Sequence, residues 1–431
     1  MKRRLIALVA ATLALAPMAS VSAETLVLTE AAAVDRALEF NLGLAANRQD
    51  LAGQERRAET AWNVLVPDVT ASAGLQRSNE ATPVLPPGEE YSVTAVSGIE
   101  GRLALSLAAI EGIETARLEY RAGVAGYQEA AASVEQQIRK SFYNLILLQE
   151  QVAVARESVE TAEAVLDQAQ ADYQNGFEPE LSLRRAQVSL QTAVLNAERR
   201  RAALEDGRAT FKRLLGIEQE TEVALQGSIT VPGAVALPGA SGSLPEVTDK
   251  DVQSAIANRL DIRSLEAQIA LQESLNQANA LNARTPTLTL SAGWNPTLAD
   301  PFNPDNTVND EWVDRGSVGI TLSLGLDDFL PFSASAVTVQ TGRRSAEALR
   351  LERQDAVLGA QTEVASLLRA LDSSIVSLDS LELSLSLAEE VYVLTEEAYL
   401  EGAAAFVDLL EAEEDLREAR STLLSEQYTY L

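Results

Sequence analysis

The sequence contains no cysteine and no histidine in its 431 residues. These absences exclude disulfides, thiolate and imidazole metal sites and an N-terminal lipidated cysteine, and they remove the commonest general base. The only methionines are Met1 and Met18, which leave the protein if its N-terminus is processed. We therefore expect a protein that is not an enzyme and that holds no metal and no cofactor.

Basic residues are also scarce, because 34 Lys and Arg stand against 63 Asp and Glu, for a formal net charge of −29. Such an acidic balance disfavours nucleic acid and anionic surfaces as partners and favours contact with cations. Hydrophobic residues make up 46% of the chain, which is too large a fraction for a disordered protein.

Long hydrophobic runs are missing except at the N-terminus. There, basic residues 2–4 precede an apolar segment from Leu5 to Pro17, and Val21-Ser22-Ala23 forms a small-residue cleavage site. This order is typical of a secretory signal peptide, which we assign to residues 1–23; the alternative is an N-terminal anchor helix. Removal of the signal leaves 31 basic and 63 acidic residues, a balance of −32. No later stretch has the roughly 18 apolar residues that a spanning helix needs.

The remaining sequence is duplicated. An amphipathic helix begins at Leu28-Thr29-Glu30-Ala31 with Thr29 as its N-cap, and a similar helix begins at Thr248, 219 residues later. Both helices stop before a proline, at Pro67 and Pro286, and the segments after the two prolines are alike. Two similar segments at a nearly constant offset indicate an internal repeat.

We therefore divide the mature chain into two repeats and a linker. The first repeat covers residues 24–216 and the second covers 246–431. The linker, residues 217–245, is rich in Gly, Pro, Val and Ser, and we expect it to form a small irregular patch at the equator of the molecule.

After each proline the apolar residues alternate with small or polar ones. Each repeat contains two such runs, which predict strands with one apolar face. The runs form hairpins at 67–109 and 286–326, with turn-rich loops at 81–97 and 297–315 between their strands. The alternating apolar residues are Val69, Ala71, Ala73, Leu75, Leu103, Leu105 and Leu107 in the first repeat, and Leu288, Leu290, Ala292, Trp294, Val318, Ile320, Leu322, Leu324 and Leu326 in the second.

Each hairpin is followed by a long seam, by which we mean apolar residues spaced alternately by three and four. The seams run from Ala131 to Tyr173 and from Val357 to Tyr399. A step of 3.5 residues predicts a coiled coil, since it keeps one face of the helix against its partner. Each seam ends near a glycine, Gly176 or Gly402, after which a final helix folds back in an antiparallel hairpin.

Four amphipathic strands fit either a soluble sandwich or a membrane barrel. Secretion and the small, polar character of the second strand face favour the barrel. Four strands cannot close a barrel, and an open edge is not tolerated in lipid, so the sequence predicts an oligomer that pools its strands. Trp294, Phe329 and Phe332 are candidate interfacial aromatics, although ordinary core packing also explains them.

These motifs resemble the outer-membrane efflux protein family, the TolC-like channels, over essentially the whole mature chain. The resemblance depends on the Leu-Thr-Glu-Ala helix start, on Asn258-Arg259-Leu260-Asp261-Ile262, on the two proline-led strands, and on Gly402 with Val407-Asp408-Leu409-Leu410. It implies a mainly α protein with a small β part, whose homotrimer forms a twelve-stranded outer-membrane barrel on a hollow periplasmic cylinder of helices. The function implied is export of drugs, metal ions or proteins, with an inner-membrane transporter and a periplasmic adaptor (membrane fusion) protein as partners.

The resemblance also implies a gate at the periplasmic end. Its residues here are Asp408 and Glu411, with Tyr399 one turn before Gly402; threefold repetition would place six carboxylates at one constriction that attracts cations and binds a divalent ion. Ser182 stands where the family often has an Asp, and its hydroxyl is a candidate partner for Tyr399. The hairpin tips, Gly176-Phe177 and Gly402 with Phe406, are the implied adaptor contacts. A solvated helix surface is the alternative for the acidic pair.

Two other classes of protein remain as alternatives. A non-conducting coiled-coil protein of the envelope would explain the seams but has no need of strands with one lipid-facing side. An envelope hydrolase that uses Asp327 and Asp328 would require a base, a nucleophile and a positioned partner, and the sequence shows no such constellation. The stretch Leu326 to Pro331 also lacks the glycine-rich turn common in the family, and Pro179 predicts a differently shaped first tip.

Overall fold

The computed structural model describes residues 26–78, 92–229, 249–299 and 312–431. The predicted signal peptide, the greater part of the predicted linker and most of the two predicted hairpin loops lie outside these residues. Within the described ranges the chain is mainly helical with a small sheet, in agreement with the predicted fold class.

The helices that open the two repeats are both broken near their middle. In the first repeat, α1 (Glu30–Phe40) is capped by Thr29, whose Oγ1 accepts a hydrogen bond from Ala32 N at 3.3 Å, as predicted. Helix α2 (Leu42–Thr60) begins at Asn41, whose side chain accepts from Leu44 N at 3.0 Å. The second repeat has α5 (Asp249–Ala257) and α6 (Leu260–Arg284) in the same places. These paired breaks support the internal duplication.

The main sheet is antiparallel and joins the two repeats. Its strands are β2 (Asp68–Ser78), β3 (Ser92–Leu105), β5 (Thr287–Trp294) and β7 (Gly316–Ser323), in the order β2-β3-β5-β7. The central pair crosses between repeats, with Leu103 opposite Leu290, and the short strand β6 (Thr297–Ala299) adds to β3. The four predicted strands are therefore present, and β2 and β7 are the edges of the sheet.

Three strand boundaries differ from the prediction. Strand β3 begins at Ser92, inside the predicted loop 81–97. The prediction missed this start because Gly98 and Gly101 interrupt the alternation of apolar and polar residues along the strand. Leu107, predicted as strand, is the first residue of a helix that Ser106 caps through Ala109 N. Leu324 and Leu326 lie beyond β7, where a 3-10 turn at Asp327–Phe329 replaces the extended chain.

Each repeat contains one very long helix. Helix α3 (Leu107–Gln174) has 68 residues and α7 (Ala334–Leu400) has 67, so that each is about 100 Å long. The predicted seams lie within them, but both helices begin more than 20 residues before the seam. Most seam residues are at least half-buried; Tyr173 and Leu367 are the exposed members. Shorter helices α4 (Glu180–Leu214) and α8 (Phe406–Tyr430) fold back along them.

The helices pack side by side as a single layer. In the half nearer the sheet, α3 lies between α2 and α6, and α6 packs on α7. In the half that ends at the tips, α3 contacts α4 and α8, and α8 contacts α7, which gives the order α4-α3-α8-α7. Helices α4 and α7 are therefore the two ends of the layer in this half. None of the helices within the described ranges is long and apolar enough to cross a membrane.

The main hydrophobic core lies between these two halves. Phe142 and Phe211 are almost fully buried there with 6.3 Å between ring centroids, and each contributes roughly 1.5–3 kcal/mol by burial. Strand β1 (Leu26–Leu28) pairs in parallel with β4 (Val223–Leu225) beside this core. Part of the linker that we expected to be irregular is thus a strand, because Val223 and Leu225 pack on the core.

Candidate gate at the helical tips

The turns between α3 and α4 and between α7 and α8, which we call the first and second tips, share one backbone design. Gly176 and Gly402 have φ of 76° and 78°, and an added Cβ would meet nothing within 4 Å at either glycine. Gly176 N donates to Tyr173 O at 3.1 Å, and Gly402 N donates to Tyr399 O at 2.9 Å. Glycine is needed here because the left-handed conformation ends the helix, and side-chain space plays no part.

A hydrogen bond joins the two tips across the repeats. The Tyr399 hydroxyl donates to Asp172 Oδ2 at 3.4 Å, between α7 and α3. Burial, together with the nearby Asp172 and Glu178 carboxylates, raises the pKa of Tyr399 to about 12. The phenol is therefore protonated at neutral pH and remains a donor.

Within the described chain, Ser182 has a partner other than Tyr399. Its hydroxyl donates to Glu178 Oε2 at 2.7 Å, on the near side of Pro179, which is the N-cap of α4. The Ser182 side chain is short and sits in the first turn of α4, so a carboxylate of its own tip satisfies it. Within the chain, Asp172 and not Ser182 is therefore the hydrogen-bond partner of the Tyr399 hydroxyl.

An apolar contact supports the hydrogen bond between the tips. Phe406, the first residue of α8, is 3% exposed and packs against Ala169 of α3 and Ala186 of α4. Its ring centroid lies 5.9 Å from that of Tyr399. We expected both Phe406 and Phe177 to contact the adaptor; only Phe177, at 79% exposure, is accessible, since Phe406 is part of the core of the tips.

Asp408 and Glu411 both lie exposed on the first two turns of α8. Asp408 Oδ2 accepts a hydrogen bond from Ala405 N at 3.0 Å, so this carboxylate also holds the start of the helix. The described chain places the two carboxylates three residues apart near the second tip. Within the described residues there is no group of three or more potential metal ligands.

The acidic pair Asp327–Asp328 has a structural place instead of a catalytic one. It forms the 3-10 turn before α7, where Asp328 accepts hydrogen bonds from Ser335 and, through its backbone carbonyl, from Ser333 at 3.4 Å. Ser333 in turn caps α7 through Ala336 N at 3.1 Å. Asp328 therefore helps to fix the two serines at the start of α7.

A four-stranded sheet above a layer of long helices that ends in two glycine-capped tips is the architecture of a TolC-like channel subunit. The sequence matches the outer membrane efflux protein family over residues 33–217 and 252–431, and the chain belongs to that family. It is accordingly an outer-membrane efflux channel protein that extends into the periplasm. The family is one of channels and not of enzymes. No curated protein matches the sequence significantly.

Several solved structures share the fold at low sequence identity. The CmeC outer membrane channel of Campylobacter jejuni has 18% identity and a TM-score of 0.76, covering 93% of this chain and 83% of CmeC. VceC of Vibrio cholerae has 16% identity and a TM-score of 0.71, covering 93% and 92%. The MtrE channel of Neisseria gonorrhoeae, solved in an open state, has 19% identity and a TM-score of 0.69, covering 92% and 85%.

Proposed function

We propose that three copies of this chain form a non-enzymatic export channel, closed at its periplasmic end by the two tips. The observation that carries the proposal is the open sheet. Within the described residues, β2 pairs with β3 and β7 pairs with β5, so the outer side of each of these two edge strands has no neighbouring strand there. An outer-membrane sheet needs closed edges, because lipid offers no replacement for the missing bonds.

Strand direction and side-chain exposure favour closure by further copies. Strand β2 leaves the helical layer and β7 returns to it, so the β7 edge of one copy meets the β2 edge of the next in antiparallel pairing. One face of the sheet is apolar and exposed, as at Val318, which is 85% exposed, and at Ile320 and Val69. Three copies contribute twelve strands, which is enough to close a barrel. Phe329 and Phe332 are exposed at the helical end of this sheet, a suitable place for interfacial aromatics.

The ends of the helical layer are complementary in the same sense. Helix α4 exposes apolar residues at intervals of seven, Leu181, Val188 and Leu195, and α7 exposes Val376, Leu383, Leu387 and Leu394. Helix α4 has eight basic and four acidic residues, whereas residues 370–400 of α7 have seven acidic residues and no basic one. The α4 of one copy therefore fits the α7 of the next, through both apolar contact and opposite charge.

The proposed gate is the set of contacts at the tips. The Tyr399–Asp172 bond and the Phe406 contact hold the second tip against the first. Threefold repetition of Asp408 and Glu411 places six carboxylates around the axis, which favours cations and binds a divalent ion. The exposed Phe177 is the residue that we assign to the adaptor contact, beside Gly176 and Gly402. Cargo enters from an inner-membrane transporter; drugs, metal ions and proteins of type I secretion are the candidate cargoes.

Single-channel recording in planar bilayers tests this function. We expect the purified protein to give a cation-selective conductance, and Asp408→Ala with Glu411→Ala to raise it and to weaken block by divalent ions. The matched control is Asp415→Ala with Glu418→Ala, since this pair is also acidic, exposed and three residues apart on α8. Absence of any conductance in all three proteins would favour a non-conducting envelope protein.

A further inference from the structure

A second contact joins the two repeats farther from the tips. Arg420 of α8 bonds through Nη1 to Glu157 Oε1 of α3 at 2.9 Å, and through Nη2 to Glu389 Oε1 of α7 at 3.4 Å. Its side chain is 30% exposed. One guanidinium therefore bridges three helices from both repeats. Arg417, one turn earlier, pairs with Glu414 of its own helix and has no ion pair to another helix among the described residues.

The surroundings of Arg420 are rich in polar groups. Helices α3, α7 and α8 line a cavity of about 390 Å³ here, and each contributes a carboxylate to its wall, Glu157, Glu389 and Glu413. At the tips, by contrast, the contact is mainly apolar apart from the Tyr399–Asp172 bond, because Phe406 packs there with alanines and the Tyr399 ring.

The two cross-repeat contacts lie at different heights on α3. In the described part of the two helical hairpins, the side-chain bonds that pass from one hairpin to the other are Tyr399–Asp172 and Arg420–Glu157. Asp172 and Glu157 are 15 residues apart in α3, which corresponds to about 22 Å along the helix. Loss of the Tyr399–Asp172 bond therefore frees from α3 only the segment of α7 and α8 between Arg420 and the second tip.

We infer that the Arg420 bridge limits how far the α7–α8 hairpin separates from α3, and so sets the aperture of the channel once the tips part. This role depends on the proposed channel function, which it extends from the tips to the middle of the helical layer. Glu157 and Glu389 are the positioning partners, and the bridge acts through helix separation without touching cargo.

The test is made in a Tyr399→Phe background, where the bond between the tips is absent. We expect Arg420→Met to raise the open probability further, by a factor of about two to five, which is the size expected of a part-exposed ion pair. Arg420→Lys should keep only part of the background behaviour, since lysine retains the charge but cannot reach two carboxylates with a planar fork. Arg417→Met is the matched control. Glu157→Gln with Glu389→Gln should repeat the effect of Arg420→Met, which guards against a defect peculiar to one variant.

Ionic strength provides a readout that a purely structural role would not change. The difference between Arg420→Met and its background should shrink as salt rises, because salt screens the part-exposed pair in the background protein. Equal open probability in Arg420→Met and its background at low salt would overturn the inference. If Tyr399→Phe and the Asp408 and Glu411 variants never conduct, the channel function itself has failed, which is a different result.

Discussion

Gln54 of α2 lies directly over Gly123 of α3, so that a Cβ added to the glycine would overlap the amide oxygen of Gln54. The second repeat has the same arrangement, with Asn276 of α6 over Gly342 of α7, again 219 residues after Gly123. Both amide oxygens are buried without a hydrogen-bond partner. In each repeat, two neighbouring helices near the sheet thus approach each other closely at a glycine.

We predict that Gly123→Ala destabilises the protein by about 1–3 kcal/mol, because the added methyl group forces Gln54 or α2 to move. The double variant Gly123→Ala with Gln54→Ala should recover a large part of this loss. Gly126→Ala is the control, since its Cβ would meet nothing within 4 Å and alanine favours the helix. Thermal unfolding followed by circular dichroism measures all three; equal losses for both glycines would refute the packing role.

Local patterns predicted the greater part of this fold. The alternation after Pro67 and Pro286 marked the strands, and the seams marked α3 and α7, because both patterns report directly on which face is buried. The early turns of α3 were missed because Gly112, Gly123 and Gly126 fall in a segment without a clear seam. The equal offset of Gly123 and Gly342 was visible in the sequence and could have revealed the close helix approach.

The candidate site was less predictable. The family resemblance pointed to Asp408, Glu411 and Tyr399 as candidates near Gly402, but it did not point to Asp172 or Arg420. Their partners are 227 and 263 residues away in sequence, so only the packing of one repeat on the other brings them together. Asp172 stands beside the seam residue Tyr173, and nothing in the local pattern separates it from the many solvated acids of these helices.

Glu413 is expected to make stability depend on pH. Burial, and the neighbouring Glu414, raise the pKa of Glu413 above its ordinary value, while Arg417 opposes the shift. Glu157 of α3, Glu389 and Tyr392 of α7, and Arg420 of α8 line the same cavity. Because the folded state disfavours the ionised carboxyl, Glu413 costs stability at neutral pH, and this cost disappears as pH falls below the raised pKa.

We therefore predict that Glu413→Gln raises the unfolding temperature at pH 7 and leaves it nearly unchanged near pH 4. Glu418→Gln, an exposed site on the same helix, is the control and should show no such pH-dependent difference. Thermal unfolding at a series of pH values checks the sign. A larger benefit of Glu413→Gln in acid than at neutral pH would show that the carboxyl is not destabilising when ionised.

Arg259 is expected to stabilise the bend between α5 and α6. Its guanidinium bonds to Asp261 Oδ2 at 2.9 Å and to Glu363 Oε2 of α7 at 2.6 Å, and a small core containing Ile256, Ile262 and Ala360 lies beside it. The hydrogen bond from Arg259 lowers the pKa of Asp261, despite the opposing effect of burial. This pair therefore contributes stability above the ordinary pKa of an aspartate, and loses it as pH falls through the lowered value.

We predict that Arg259→Met costs about 1 kcal/mol at pH 7, a modest figure because the side chain is about one-third exposed. Arg259→Lys should restore only part of the loss, since lysine cannot reach two carboxylates with a planar fork. Arg344→Met, at an exposed arginine of α7, is the comparison variant. Chemical denaturation at pH 7 and again below pH 3 measures the effect, and a cost that persists undiminished in strong acid would argue against the ion pairs as its source.

The proposed contact between α4 of one copy and α7 of the next can be tested at Val188. Val188 of α4 is 67% exposed in the single chain and lies on the apolar stripe that we assign to contact with α7 of the next copy. An aspartate at this position would lie opposite the acidic residues 370–400 of α7, so Val188→Asp should weaken the trimer through both lost apolar contact and like-charge repulsion.

The helical content of the Val188→Asp chain should not change, because Val188 contacts solvent within its own copy. Phe177→Asp is the matched control, since Phe177 is also an exposed apolar residue, at 79%, but lies at the tip, away from the stripe. Heat-dependent migration on gels distinguishes the trimer from the single chain, and we expect Val188→Asp to dissociate at a lower temperature than both the wild type and Phe177→Asp. A stable trimer in Val188→Asp would mean that a different helix face joins the copies.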